Sequence, residues 1–226
     1  LSPMVKGAVG TTPFNGPDKD DVIIWNLNTR GAVTINTGAD EDWVYMSGLT
    51  MTAGDLSINT GSGPDTAEIE NLTSILPGAV NIQTYSSLSE NDADTVWFDG
   101  VYAYGNMNVK TGGGNDLIHL SNTTTWKDLN VDAGAGNDEF DIDHVDVVDN
   151  LMAHLGDGDD SMTIDYLYGG TFHFLGEGGT DNLHRTANVF GQTVEQTGWE
   201  YINGRLQFGT VVVSPVATAN MQAKLV

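Results

Sequence analysis

The stretch "VKTGGGNDLIHL" (109–120) joins a glycine run, an Asn-Asp pair and a period-two apolar alternation. It returns as "VDAGAGNDEFDI" (131–142) and "AHLGDGDDSMTI" (153–164). Glycine is costly to order and aspartate is a poor strand former, so packing alone does not put them at a strand start. Their spacing decides the matter. Anchoring on the aspartate that precedes each alternation gives Asp21, Asp42, Asp65, Asp94, Asp116, Asp138, Asp160 and Asp181, separated by 21, 23, 29, 22, 22, 22 and 21 residues. The one long interval holds "YSSLSEN" (85–91), a polar stretch expected to bulge as a loop. A fixed period in this range marks stacked repeats.

The second and fourth positions after the anchor are apolar: Val44 and Met46, Val96 and Phe98, Ile118 and Leu120, Phe140 and Ile142, Met162 and Ile164. That alternation predicts a strand with one buried face. A second short strand is expected before each turn, at Ile35, Ile58, Ile82, Val109 and Val131, with polar neighbours Asn36, Asn59, Gln83, Lys110 and Asp132. Helical periodicity is absent across 30–190. A unit of 22 residues cannot bury a core alone, but a stack of units can.

The expected fold is therefore all-β: a right-handed parallel β-helix, or β-solenoid, of about eight coils of about 22 residues. The right hand follows from the preference of parallel crossovers, and the stack would be roughly 38 Å long. A β-sandwich also has short strands and turn signals, but it does not explain a constant period with a fixed anchor. Residues 1–16 read as an N-terminal cap, 17–192 as the repeat domain, and 193–226 as a C-terminal cap and tail. Caps are expected because open sheet edges invite end-to-end association.

Composition bounds the partners. Thirty-one acidic residues face 8 Lys+Arg, a net charge of -23, and glycine numbers 28. Such a balance argues against nucleic acid and against anionic membrane surfaces, and it favours cations. Disorder is the plain reading of an acidic, glycine-rich chain, but five Trp, seven Phe and seven Tyr supply too many core formers for it. There is no cysteine and no apolar run long enough to span a membrane. The chain opens on Leu1 without an export signal, so a processed or trimmed chain is expected, and export remains compatible with it.

Stacking places equivalent carboxylates about 4.8 Å apart, where a pair repels by roughly 0.9 kcal/mol even in water and several-fold more when shielded. Asp40, Glu41, Asp157, Asp159 and Glu177 crowd the same turns. Protons could neutralise the column at acid pH and a divalent cation at neutral pH. Ca²⁺ suits a donor set of carboxylates and backbone carbonyls better than Mg²⁺, and no thiol is present for soft metals. The alternative is purely structural: Gly-Asn-Asp turns in which Asn and Asp tolerate left-handed backbone.

"TGGGNDLIH" (111–119), "AGAGNDEFD" (133–141) and "LGDGDDSMT" (155–163) resemble the haemolysin-type, repeats-in-toxin calcium-binding nonapeptide G-G-x-G-x-D-x-U-x. That resemblance implies Ca²⁺ held between turns of a parallel β-roll. It assigns the ion to Gly112, Gly114, Asn115 and Asp116, to Gly134, Gly136, Asn137 and Asp138, and to Gly156, Asp157, Gly158, Asp159 and Asp160. Asp42, Asp65 and Asp181 carry weaker matches, and "LGEGGTD" (175–181) reads as having one extra residue before Asp181. This chain departs from the family in two ways. Thr111, Ala133 and Leu155 replace the first glycine, and one nonapeptide occurs per 22 residues instead of two per 18. Only one edge should then carry ions, and the site between Asp116 and Asp138 is the best matched.

Other features are weaker. Thr37, Thr60, Thr84 and Thr111 read as a stacked hydroxyl ladder. His119 and Asp141 occupy neighbouring outward positions, and His154 lies near His173 in repeat register; such pairs are usually surface contacts. Outward Trp43, Tyr45 and Trp97 could stack a sugar. "NLT" (71–73) and "NTT" (122–124) match the glycosylation acceptor pattern, which matters only in a glycosylating host. The function expected is a secreted or bacterial cell-surface, calcium-stabilised module with a structural or adhesive role, whose partners are Ca²⁺ and either its own kind or surface polysaccharide. A polysaccharide-active enzyme or carbohydrate-binding module on the same scaffold is the alternative, to be recognised by a cleft with convergent ionisable groups. An ice-binding face would need a longer threonine array.

Overall fold

The computed structural model describes residues 4–5, 9–10, 19–74, 78–87, 90–191, 193–203, 205–206 and 211–213. Strand follows strand from end to end, and helix is absent among these residues. Each coil has three sides. The first side follows the anchor aspartate: Asp21–Trp25, Trp43–Ser47, Thr66–Glu70, Thr95–Asp99 and the starts of Leu117–Thr125, Glu139–His154, Ser161–Leu175 and Asn182–Phe190. Short segments such as Asn28–Thr29, Thr50–Met51, Thr73–Ser74 and Tyr102–Ala103 make the second side. The third runs from Val33–Ala39 through Leu56–Ser62, Val80–Gln83, Met107–Lys110 and Leu129–Asp132 to Thr193–Thr197. Every side pairs in parallel with the same side one coil on, for example Val96 with Ile118, Ile118 with Phe140 and Phe140 with Met162. The β-solenoid of about eight turns at about 22 residues is as the repeat predicts.

Alternation turns alternate residues inward, and parallel register stacks them into columns. Met46, Ile69, Phe98, Leu120, Ile142 and Ile164 form one such column, all fully buried. Val33, Leu56, Val80, Met107, Leu129, Leu151 and Phe172 form another on the third side. Corners that leave the first side need left-handed backbone. Asn26, Gly48, Asn71, Gly100, Asn122 and His144 supply it, with φ between 46° and 69°.

Two details depart from the sequence reading. Asp21 pairs with Trp43, so the anchor column begins at Asp20, whose carbonyl accepts the Trp43 N–H. The turn before Asp181 holds no extra residue. Asp157 bridges to Gly178 and His154 pairs with Leu175, so the shorter coil loses its residue at the register shift between Val147 and Asn150. The expected loop is present, with no strand among the described residues between Gln83 and Thr95, and it accounts for the 29-residue interval.

At the N-terminal end, Met4–Val5 and Val9–Gly10 pair in parallel with Asn28–Thr29 and Val33–Ala39, so part of the expected cap is itself coil-like; the rest of 1–16 lies outside the described residues. At the other end, Thr193–Thr197 continues the third side, and Val211–Val213 returns antiparallel on it. Arg185 and Gln196 follow Ile164 and Phe174 in their columns, ending the apolar stack with polar groups. Among the described residues, no helix is long and apolar enough to cross a membrane.

Candidate metal centre

The Gly-Asp turns at Asp116, Asp138 and Asp160 pack so closely that each needs glycine at two positions; in the outer turns Asp40 and Glu177 take the equivalent left-handed backbone, at φ 77° and 72°. Gly112, Gly134 and Gly156 have φ between 97° and 104°, and Gly114, Gly136 and Gly158 between 137° and 151°. A Cβ on Gly136 would fall 1.4 Å from the Gly114 carbonyl oxygen, and on Gly158 1.7 Å from that of Gly136. The turns are also cross-linked by backbone: the carbonyls of Gly112, Gly134 and Gly156 accept the N–H groups of Ala135, Asp157 and Gly178 at 2.9–3.0 Å.

Within these turns the predicted ligands separate into two ladders. The outer ladder is exposed. Asn115 Oδ1 accepts the Asn137 N–H, Asn137 Oδ1 the Asp159 N–H, and Asp159 Oδ1 the Thr180 N–H, each at 2.8 Å. Asp157 is exposed and lies outside both ladders.

The inner ladder is the anchor column: Asp42, Asp65, Asp94, Asp116, Asp138, Asp160 and Asp181, none more than 3% exposed. Each uses Oδ1 to accept the backbone N–H of the anchor one coil earlier, from Asp20 onto Asp42 through to Asp160 onto Asp181, at 2.8–2.9 Å. Glu200 closes the series, its Oε2 accepting the Asp181 N–H at 2.7 Å. Asp20 and Glu200 were missed as anchors. Counting one period back from Asp42 would have found the first.

The second carboxylate oxygen is the chemically interesting one. Oδ2 of Asp42, Asp65, Asp116, Asp138, Asp160 and Asp181 is buried without a hydrogen-bond partner. Asp94 is the exception, because Thr84 Oγ1 donates to its Oδ2 at 2.5 Å. The residue at the family's first glycine position sits beside this oxygen. Thr37, Thr60 and Thr111 lie near the carboxyls of Asp42, Asp65 and Asp116 and draw their pKa values partway down, short of hydrogen-bond geometry to Oδ2. Thr37, Thr84 and Thr111 donate to the carbonyls of Thr60, Thr111 and Ala133, but Thr60 Oγ1 has no partner, so the expected hydroxyl ladder is broken at Thr60. Beyond Thr111 the column continues with Ala133 and Leu155, which bring no hydroxyl.

Burial, and behind it repulsion along the column, raises these carboxyls above the ordinary carboxylate range. Asp65, Asp138 and Asp181 rise to about 7, Asp94 to about 8 and Asp160 to about 6, while Asp42 and Asp116 are also raised. An ionised, unpartnered oxygen in such a place is costly, so the column calls for positive charge. A proton on each carboxyl, or a cation between carboxyls, supplies it. The residues fit a cation to that extent: buried carboxylate oxygens without partners, stacked in successive coils apart from that of Asp94. Thr37, Thr60, Thr111, Ala133 and Leu155 stand where the nonapeptide has its first glycine, Gly176 matches it before Asp181, and one oxygen of each anchor is held by an amide.

Elsewhere, His119 Nδ1 lies 3.9 Å from Asp141 Oδ2 while its ring stacks on Trp97. His154 and His173 occupy different columns, and each faces a glutamate one coil on: Glu177 at 3.2 Å and Glu195 at 3.0 Å. Trp43, Tyr45 and Trp25 form an outward aromatic group, with ring centroids 5.4–5.9 Å apart and Trp25 60% exposed. No family model matches the chain, and no curated protein or solved structure matches it either, so the likeness to the calcium-binding nonapeptide rests on the turn motif alone.

Proposed function

We propose that the chain is a structural or adhesive β-solenoid module of a secreted or bacterial cell-surface protein, and that Ca²⁺ joins its coils along the aspartate ladder. The observation that carries this reading is the set of six buried Oδ2 atoms without partners, one in each coil of the ladder from Asp42 to Asp181 except that of Asp94. Oδ2 of successive anchors, with Asp116, Asp138 and Asp160 foremost and Asp42, Asp65 and Asp181 flanking them, would hold the ion together with turn carbonyls. When bound, Ca²⁺ supplies the charge that otherwise has to come from protons. The chain's own part is to present the oxygens in line, to exclude water from them, and to keep each Oδ1 on its amide. A millimolar-scale extracellular calcium level would fill even weak sites and tie stability to the compartment. The test is thermal unfolding at pH 8 with Ca²⁺ and with chelator. A rise of several degrees with Ca²⁺ supports the reading; superimposable curves would overturn it.

A second reading has its own observation. Trp25, Trp43 and Tyr45 cluster on the first side, and Glu70 accepts the Tyr45 hydroxyl at 2.8 Å. Flat aromatic faces beside carboxylate acceptors suit a neutral sugar. Binding of a neutral glycan, lost in Trp25→Ala, would favour a carbohydrate-binding role.

A further inference from the structure

We propose that Asp143, His144 and Asp165, at the corner where the first side ends, form a site for a first-row divalent transition ion such as Zn²⁺. One ligand atom from each of the three lies within 4.8 Å of the others, and His144 Nδ1 is 2.5 Å from Asp143 Oδ1. The site is on a different corner from the aspartate ladder and shares no residue with it.

The corner departs from its own repeat in a way that creates the site. Two coils earlier, Asp99 holds the position equivalent to Asp143. Its carboxylate is satisfied by the following coil: Ser121 Oγ donates at 2.9 Å and Asn122 Nδ2 at 2.8 Å. Those donors hold the pKa of Asp99 below the ordinary range. At Asp143 the coil that follows supplies Asp165 and Tyr166 in place of Ser and Asn, so a carboxylate stacks on a carboxylate. Among the described residues no Lys or Arg lies within ion-pair distance of either. The left-handed corner position, held elsewhere by Asn or Gly, is here His144. Its ring stacks on Tyr166 with centroids 5.3 Å apart and planes at 12°, which fixes the imidazole over the following coil.

The donor set chooses the ion. Carboxylates alone would suit Mg²⁺ or Ca²⁺, whereas an imidazole nitrogen with two carboxylates suits Zn²⁺ and its neighbours. Three protein ligands leave positions open for water or another ligand. The ion would clip Glu139–His154 to Ser161–Leu175 from outside, just as the inner ladder joins coils from within.

The test is Zn²⁺ titration of tag-free, full-length chain by calorimetry, with Ca²⁺ in constant excess so that the outcome does not depend on the ladder. His144→Asn installs the residue that three other corners already use, so it should fold normally. Removing a ligand should cost at least the 10–100-fold typical of losing an outer-shell partner. The expected result is one Zn²⁺ per chain at this corner, at least tenfold weaker binding in His144→Asn and in Asp165→Asn, and unchanged binding in His154→Asn. Equal affinity in wild type and His144→Asn, or no Zn²⁺ uptake by wild type, would overturn the proposal.

Discussion

Replacing Asp138 by Asn separates the two jobs of a ladder carboxyl. Asn keeps the Oδ1 that accepts the Asp116 N–H at 2.8 Å, and it removes the titrating group on the other side. In the folded chain Asp138 titrates at about 7, against about 3.9 for an unfolded aspartate. The folded state therefore binds more protons in this window, and raising the pH favours unfolding. Taken in full, the difference costs about 1.5 kcal/mol at pH 5 and about 4 kcal/mol at pH 8, at 1.36 kcal/mol per unit. Relaxation and water penetration reduce this, so the realistic change between the two pH values is about 1–2 kcal/mol. Against it stands the buried amide NH₂ of Asn, which costs about 1 kcal/mol or more if unpartnered. Asp138→Asn should thus be neutral or destabilising at pH 5 in chelator and should gain about 1–2 kcal/mol relative to wild type on going from pH 5 to pH 8. Urea unfolding at both pH values measures it, and pH 5 stays clear of the isoelectric point near 4.1. With Ca²⁺ at pH 8 the order should reverse, because Asn cannot serve the ion as carboxylate does. A mutational effect independent of both pH and Ca²⁺ would refute the reasoning.

The wild-type chain in chelator should lose stability as pH rises from about 5 to about 8.5, through the raised values of Asp160, Asp65, Asp138, Asp181 and Asp94; a melting temperature that is flat over that range would contradict it. Gly136→Ala should fail to fold or lose several kcal/mol, since its Cβ meets the Gly114 carbonyl, whereas Gly178→Ala meets only the movable Asp157 Oδ1 and should cost about 1 kcal/mol or less. Circular dichroism melts of the two variants decide this. Phe140→Ala removes a fully buried ring from the stack and should cost about 3–5 kcal/mol by denaturant unfolding.

The repeat made the coil legible because a parallel stack copies each position onto the next. Val44, Val96, Ile118 and Phe140 announced an inward column by parity alone, and the glycines at 112, 114, 134 and 136 announced a turn that only glycine can make. Local parity misplaced the first anchor, because Asp20 and Asp21 are adjacent; the 22-residue period counted back from Asp42 points to Asp20, and the pairing agrees. The direction of the carboxylates was not legible. A spacing puts aspartates in a column, but it does not reveal that Oδ1 is taken by an amide and Oδ2 left without a partner. The threonines that look like an isolated ladder turn out to line the same oxygens. The corner at Asp143, His144 and Asp165 escaped notice for a related reason: residues 143 and 165 gain meaning only when stacked one coil apart.

On the proposed function, buried ladder carboxyls that carry protons near neutral pH exchange them for Ca²⁺. The most direct measurement is the proton release that accompanies Ca²⁺ addition to lightly buffered protein at pH 7. With several anchors titrating at about 6 to about 8, the prediction is net proton release that saturates with Ca²⁺ uptake and shrinks in Asp138→Asn. Calcium uptake without proton release, or no uptake at all, would contradict it.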